Sequence, residues 1–275
     1  MVRDVRRPAC AKINLALVVG PPRADGKHEV TTVYQRVALC DRVSVEPAPR
    51  LTVTGFAADT LVRAALESLA DAARVQPRWA VRIDKRLPVA AGLGGGSADA
   101  ATALRLANET LAEPLPHTEL EQLARGVGAD VPYCLRDGPQ LGTGDGGDLA
   151  SLDLPQDYWV LLALPRGTTK ASTAAVYRDF DEREGPLGYE ERRTALLDAL
   201  ARIRRPRDLA LLPPNDLASS PLADELCALG AFRADVSGAG PTVYALFVHR
   251  AAATAAEAAV KARARCWLTA PAWYV

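Results

Sequence analysis

The stretch Pro88-Val89-Ala90-Ala91-Gly92-Leu93-Gly94-Gly95-Gly96-Ser97-Ala98-Asp99-Ala100-Ala101 decides how this chain reads. Four of the five positions 92–96 are glycine, and an alanine-rich segment with strong helix propensity follows at once. Glycines let backbone N–H groups converge where a Cβ would block them, and a helix start leaves further N–H groups unpaired. The positive end of the helix dipole points at the same spot. Such a place attracts phosphate, and the run therefore predicts a nucleotide-using protein.

The common phosphate motifs do not fit. A Walker loop needs Gly-Lys-Ser/Thr, whereas Gly26-Lys27 is followed by His28 and no lysine follows Gly96. The dinucleotide fingerprint fails because Ser97 stands where a third glycine is required. A purely structural turn is the bland alternative, but such turns seldom use so many glycines in a row.

Outward from this run, the chain has 275 residues and a formal net charge of zero, which suits one large domain or two smaller ones sharing a cleft. No global basic field exists to hold nucleic acid or an anionic membrane. The five cysteines (Cys10, Cys40, Cys134, Cys227, Cys266) are scattered and form no C-x-x-C pair, so reduced thiols and a cytoplasmic protein are expected. Met1 to Pro8 lacks the apolar core of a signal peptide, and no stretch approaches the length of a membrane span.

Alternating apolar positions predict strands at Ile13 to Leu17, Val33 to Leu39 and Val43 to Val45, joined by the turn-rich segment 20–26. A helix is expected from Asp59, as N-cap, to Ala73. Val81 to Ile83 reads as a strand leading into the glycine loop. A further helix is expected from Thr118, with Glu121 completing a capping box and Gly126 and Gly128 ending it. Residues 139–153, rich in Gly and Asp, read as a loop. Tyr158 to Leu164 then reads as a buried strand opening a second half with strands at 232–237 and 242–248, a helix at 251–262 and a short end strand. This order predicts an α+β architecture with helices on one sheet face, divided near residue 150 into units 1–150 and 151–275.

Four polar segments accompany the loop. Period two puts Lys12 and Asn14 on one face of a strand, opposite Ile13 and Leu15, where both can enter a cleft; a solvated edge strand is the competing reading. Lys27 and His28 lie in the dense polar turn 24–30. Asp130 precedes a proline at a helix start, so it is either an N-cap or a rigidly held proton acceptor. Val236 to Val243 is a glycine turn between strands, either a tight hairpin or a backbone that approaches phosphate.

In this order the segments resemble the GHMP kinase superfamily of small-molecule kinases. Residues 12–15, 88–101 and 236–243 match its three motifs. The additional runs Gly128-Ala129-Asp130-Val131-Pro132 and Pro214-Asn215-Asp216-Leu217 are similar to one branch, whose acceptors carry a cytosine base. The resemblance implies an α+β two-domain fold, with a ribosomal-protein-S5-like N-terminal domain and a ferredoxin-like C-terminal domain. It implies ATP and Mg²⁺, with Pro88, Gly92, Leu93, Gly94, Gly95, Gly96, Ser97 and Ala98 on the ATP phosphates and Ser97 near the metal. Asp130 would act as base and Lys12 would orient the reacting hydroxyl, a division suited to phosphoryl transfer. Asn14, Lys27, His28, Tyr177, Ser237 and Gly238 would contact the phosphorylated polyol acceptor. A monomer or homodimer without nucleic-acid or membrane partners is expected.

Two departures fall on the acceptor side. The branch carries Gly-Tyr-His-Glu-Leu, with the tyrosine against the cytosine ring; here Lys27 takes that place, and an ammonium offers no flat face for stacking. Tyr177 would supply the second aromatic. In Gly142 to Asp148, where Gly-Arg-Gly-Glu is usual, an acid, Asp145, replaces the cation. The acceptor is therefore either the cytidylyl compound or, in a related enzyme, a sugar phosphate or cyclitol phosphate. A non-catalytic ATP-binding sensor is disfavoured by the presence of both Lys12 and Asp130.

Overall fold

Two long strands organise the first half. β1 (Arg7–Pro22) and β2 (His28–Pro47) pair antiparallel, and each extends well beyond its alternating core. β3 (Thr52–Thr54), α1 (Leu61–Ala72), β4 (Trp79–Asp84), α2 (Gly95–Asn108), α3 (His117–Val127), α4 (Val131–Cys134), β5 (Gln140–Thr143) and β6 (Asp148–Ser151) follow. The computed structural model describes residues 6–56, 59–168 and 172–272, so the segment 1–5, part of the stretch read above as lacking a signal peptide, lies outside it.

The strands form a six-stranded sheet in the order β3-β4-β2-β5-β6, with β1 on β2. α1, α2, α3 and α4 bury Leu66, Leu69, Leu104, Leu120 and Val131 against Val43, Val81 and Ile83 of this sheet. Burial of side chains this size contributes roughly 1.5–3 kcal/mol each. Thr60, not Asp59, is the N-cap residue of α1; Asp59, one position before it, accepts from the backbone N–H of Val62 and Arg63.

β7 (Trp159–Pro165), α5 (Thr173–Glu182), α6 (Tyr189–Arg202), a 3-10 turn (Pro206–Leu211), α7 (Pro221–Ala228), β8 (Arg233–Val236), β9 (Val243–Phe247), α8 (Arg250–Val260) and β10 (Ala264–Thr269) make the rest. Their sheet is wholly antiparallel, in the order β10-β7-β9-β8. α7 and α8 cover one face. The other face is not open to solvent: Val160, Leu162, Tyr244 and Leu246 join Leu196 of α6 and Ile13, Leu15 and Val18 of β1 in one core linking the two sheets.

The structure corrects several expectations. Residues 140–151 form the β5–β6 hairpin rather than a loop, its turn carried by Gly144 and Gly146 at positive φ. α3 has Pro116 at its N-cap with no capping box; Glu121 binds the Arg136 guanidinium instead. Cys10 and Cys40 are joined by a disulfide, because the β1–β2 register sets them directly opposite each other, while Cys134, Cys227 and Cys266 are free. Among the described residues, no helix is long and apolar enough to cross a membrane.

Candidate active site

A cavity of about 420 Å³ opens where β1, the start of α2 and the β8–β9 turn meet. Its wall includes Lys12 and Asn14, the loop residues from Pro88 to Ser97, Asp130, Asp145, Tyr177, Leu217 and Gly238. The sequence expectation that Lys12 and Asn14 share a cleft-facing side holds. The β1–β2 pairing also shifts register twice here, between Cys10 and Lys12, where the extra residues lie in β2, and between Asn14 and Ala16, where β1 carries the extra residue. Such breaks aim side chains out of the regular pleat.

α2 begins at Gly95, with Gly94 as its N-cap at φ 66°. No side chain caps it, and its first turn holds no acid. The amides of that turn and the positive helix end thus face the cavity uncompensated, a cradle suited to an anion. Glycine is required here for space as well: a Cβ at position 94 would stand 2.8 Å from Cγ of Lys12. A Cβ at position 92 would stand 2.3 Å from the Ser237 carbonyl oxygen, so the glycine loop and the β8–β9 turn meet backbone to backbone.

Ser237 is fully buried, and its hydroxyl donates to the Gly92 carbonyl (2.9 Å). Asn215 donates to the carbonyls of Val236 (3.0 Å) and Gly238 (2.7 Å), which explains the Pro214–Leu217 run as a brace for this turn.

The Lys12 ammonium donates to Oδ1 of Asn14 (2.7 Å) and lies 3.2 Å from Oδ2 of Asp130. Asn14 in turn donates to the Thr32 hydroxyl (2.8 Å), which fixes which end of its amide faces Lys12. Asp130 occupies the N-cap position of α4 but caps no amide. Its carboxylate faces Lys12 at the cavity wall, so the capping alternative fails. Tyr34, 5.5 Å below the ammonium and stacked on Tyr133, forms the floor. Burial first, and the Asp130 charge second, push its phenol well above the ordinary value.

On the far wall, Tyr177 packs its ring against His28 with centroids 4.8 Å apart, and burial together with Asp130 pushes its phenol up to about 12. His28 is held by Asp181 (2.8 Å) behind the wall rather than in it. Lys27, also outside the wall, reaches Oδ2 of Asp145 at 2.5 Å. Burial works to raise the Asp145 carboxyl, and the Lys27 hydrogen bond overrides it, leaving it below the usual range.

The structure therefore gathers Lys12, Asn14, the loop 88–97, Asp130, Tyr177 and Gly238 around one space, and sets Lys27, His28, Ala98 and Ser237 just behind it. Sequence reasoning missed Tyr34 and Lys85, both of which line the cavity. Tyr34 falls in the strand predicted at Val33 to Leu39, but its place opposite Asn14 is set by the long-range β1–β2 register. No group of three or more metal-ligating side chains occurs among the described residues. Ser97 supplies one hydroxyl at the wall, which suits a magnesium ion held mostly by phosphate and water.

Comparison with known proteins agrees with this geometry. Residues 60–138 match the GHMP kinases N terminal domain, and residues 208–266 match GHMP kinases C terminal. The chain is 38% identical over 259 residues to the 4-diphosphocytidyl-2-C-methyl-D-erythritol kinase of Mycolicibacterium vanbaalenii, covering 84% of this chain and 78% of that one. It is 36% identical over 284 residues to the enzyme of the same name from Streptomyces coelicolor, covering 95% and 93%. A crystal structure of 4-(cytidine 5'-diphospho)-2C-methyl-D-erythritol kinase superposes with a TM-score of 0.77 at 30% identity, covering 97% of this chain and 99% of the other. The mevalonate kinase of Methanococcus jannaschii, at 13% identity and a TM-score of 0.73, shares the fold.

Proposed function

The chain belongs to the GHMP kinase family, and from that premise we propose that it transfers the γ-phosphoryl group of ATP to a hydroxyl of 4-diphosphocytidyl-2-C-methyl-D-erythritol, a step of non-mevalonate isoprenoid biosynthesis. One observation carries the reading: the Lys12–Asp130 pair, 3.2 Å apart, stands in the same cavity as the open N-terminus of α2.

In this reading residues 1–150 form the domain that carries the loop and 151–275 the domain that closes the cavity. Bound ATP with Mg²⁺ supplies the transferable phosphoryl group and neutralises its charge. The amides of Gly94, Gly95, Gly96 and Ser97 would hold the phosphates, and the Ser97 hydroxyl would be the side chain available to the metal. Lys12, oriented by Asn14, holds the acceptor hydroxyl and offsets charge on the phosphoryl oxygens. Asp130 accepts the hydroxyl proton as the new P–O bond forms and the bond to the β-phosphate breaks, releasing ADP. Tyr177 offers its ring to the acceptor base.

The test is ATP-coupled turnover of the cytidylyl acceptor beside a panel of sugar and cyclitol phosphates. Turnover of the cytidylyl compound with the highest kcat/KM is expected. Activity confined to a smaller phosphate would sink the assignment and make Lys27 the sign of a changed acceptor.

A further inference from the structure

Beneath the glycine loop, two buried carboxyls that the transfer chemistry does not use share the ammonium of Lys85, which itself reaches the cavity wall. Asp41, in β2, is fully buried and lies outside the cavity wall. Its Oδ1 accepts from the backbone N–H of Arg86 (2.5 Å) and Leu87 (2.7 Å), the residues that enter the loop. Its Oδ2 accepts from the Lys85 ammonium (2.6 Å). The same ammonium donates to Oδ2 of Asp99 (2.6 Å), a second fully buried carboxyl, in α2 where the loop ends. Lys85 also lies against the first turn of α2, 3.3 Å from where a Cβ of Gly95 would stand. One connected group thus ties the sheet to both ends of the phosphate loop.

Stability alone accounts poorly for this arrangement. Taking ions out of water costs several kcal/mol each, and well-packed apolar side chains usually do as well or better. Here two carboxyls, Asp41 and Asp99, are fully buried around a half-buried ammonium, and Oδ1 of Asp99 has no partner among the described residues. What the group does provide is direction: a carboxylate with two backbone N–H groups and one ammonium fixes the loop entry relative to the helix start. A displacement of about 1 Å in such donors is enough to cost on the order of a hundredfold in rate.

We propose that Asp41 is a positioning residue for the nucleotide: through the Arg86 and Leu87 amides and the Lys85–Asp99 link, it presets the glycine loop against α2 before phosphate arrives. The proposal rests on the ATP-kinase reading given above and deepens it. Asp41 itself touches no substrate.

Two measurements test it. In the wild-type protein without nucleotide, hydrogen exchange at the Arg86 and Leu87 amides is expected to be as slow as in the neighbouring strand β4; free exchange that becomes protected only on adding ADP overturns the proposal. In Asp41→Asn, ADP binding by calorimetry and the KM for ATP are both expected to weaken about tenfold or more, with the KM for the acceptor within about twofold. A folded variant with unchanged ADP affinity, or with both KM values raised alike, also overturns it. If the variant does not fold, the exchange experiment decides alone. A wild-type protein that binds ADP but phosphorylates no acceptor would defeat the kinase reading and leave these binding results standing.

Discussion

The Lys27 ammonium lies 2.5 Å from the Asp145 carboxylate, so the two residues that depart from the family pattern are partners of each other. Lys27 comes from the turn between β1 and β2, Asp145 from the turn between β5 and β6, and Asp145 stands in the cavity wall. The pair is close to neutral as a unit. Removing Lys27 leaves an uncompensated carboxylate facing an anionic acceptor. Lys27→Ala should raise the acceptor KM about fivefold, on the order of 1 kcal/mol, with the KM for ATP unchanged. The double variant with Asp145→Ala should return close to wild type. Equal acceptor KM values for the single and double variants would show that the uncompensated Asp145 carboxylate does not weaken acceptor binding.

Asp130→Asn keeps the shape of the side chain and removes its capacity to take a proton. Loss of a positioned general base typically costs 10²–10⁴-fold, and kcat should fall by about that much. ADP affinity should stay within about twofold, because the carboxylate lies against Lys12 and not in the first turn of α2. Steady-state kinetics with ADP calorimetry separates the two effects, and residual kcat within tenfold of wild type would remove Asp130 from the proton-accepting role.

Much of this site was legible in the chain because its signals are local. Glycine crowding marks the loop, and period two marks Lys12 and Asn14. Elements set by long-range pairing were not. The β5–β6 hairpin hides in a Gly/Asp-rich stretch whose strands have only four residues each. The Cys10–Cys40 bond depends on a register shifted by bulges that no local pattern reports. His28 pairs with Asp181 and Ser237 with the Gly92 carbonyl, partners far away in sequence that no local pattern reports. Asp41 reads as one acid in an apolar strand; only the approach of Lys85 and Asp99 gives it a purpose.

Gly94 offers a steric test with a matched control. An alanine in the left-handed region costs roughly 1–2 kcal/mol at any site. At position 94 the new Cβ would also stand 2.8 Å from Cγ of Lys12, while at Gly138, φ 68°, it meets open space. Gly138→Ala should lower stability by about that backbone cost and leave kcat unchanged. Gly94→Ala should lower kcat/KM by on the order of a hundredfold as Lys12 is pushed aside. Thermal melts beside kinetics check both, and similar kinetics for the two variants would contradict the contact.

Asp99 gives the protein a pH-dependent stability whose sign follows from its surroundings. Burial raises its carboxyl, the Lys85 charge pulls it back, and the balance leaves it at about 7. In the unfolded chain it titrates near ~3.9. Between these values the folded state holds a proton that the unfolded state has released, so stability falls as pH rises. The loss begins above the unfolded value, is complete once pH passes about 7, and does not grow further. Asp99→Asn removes the titration while its amide oxygen still accepts from Lys85. The melting temperature of the variant minus that of wild type should therefore be more positive at pH 8 than at pH 5. A difference that stays flat between those two pH values would mean that Asp99 is ionised throughout, with Lys85 overcoming the burial.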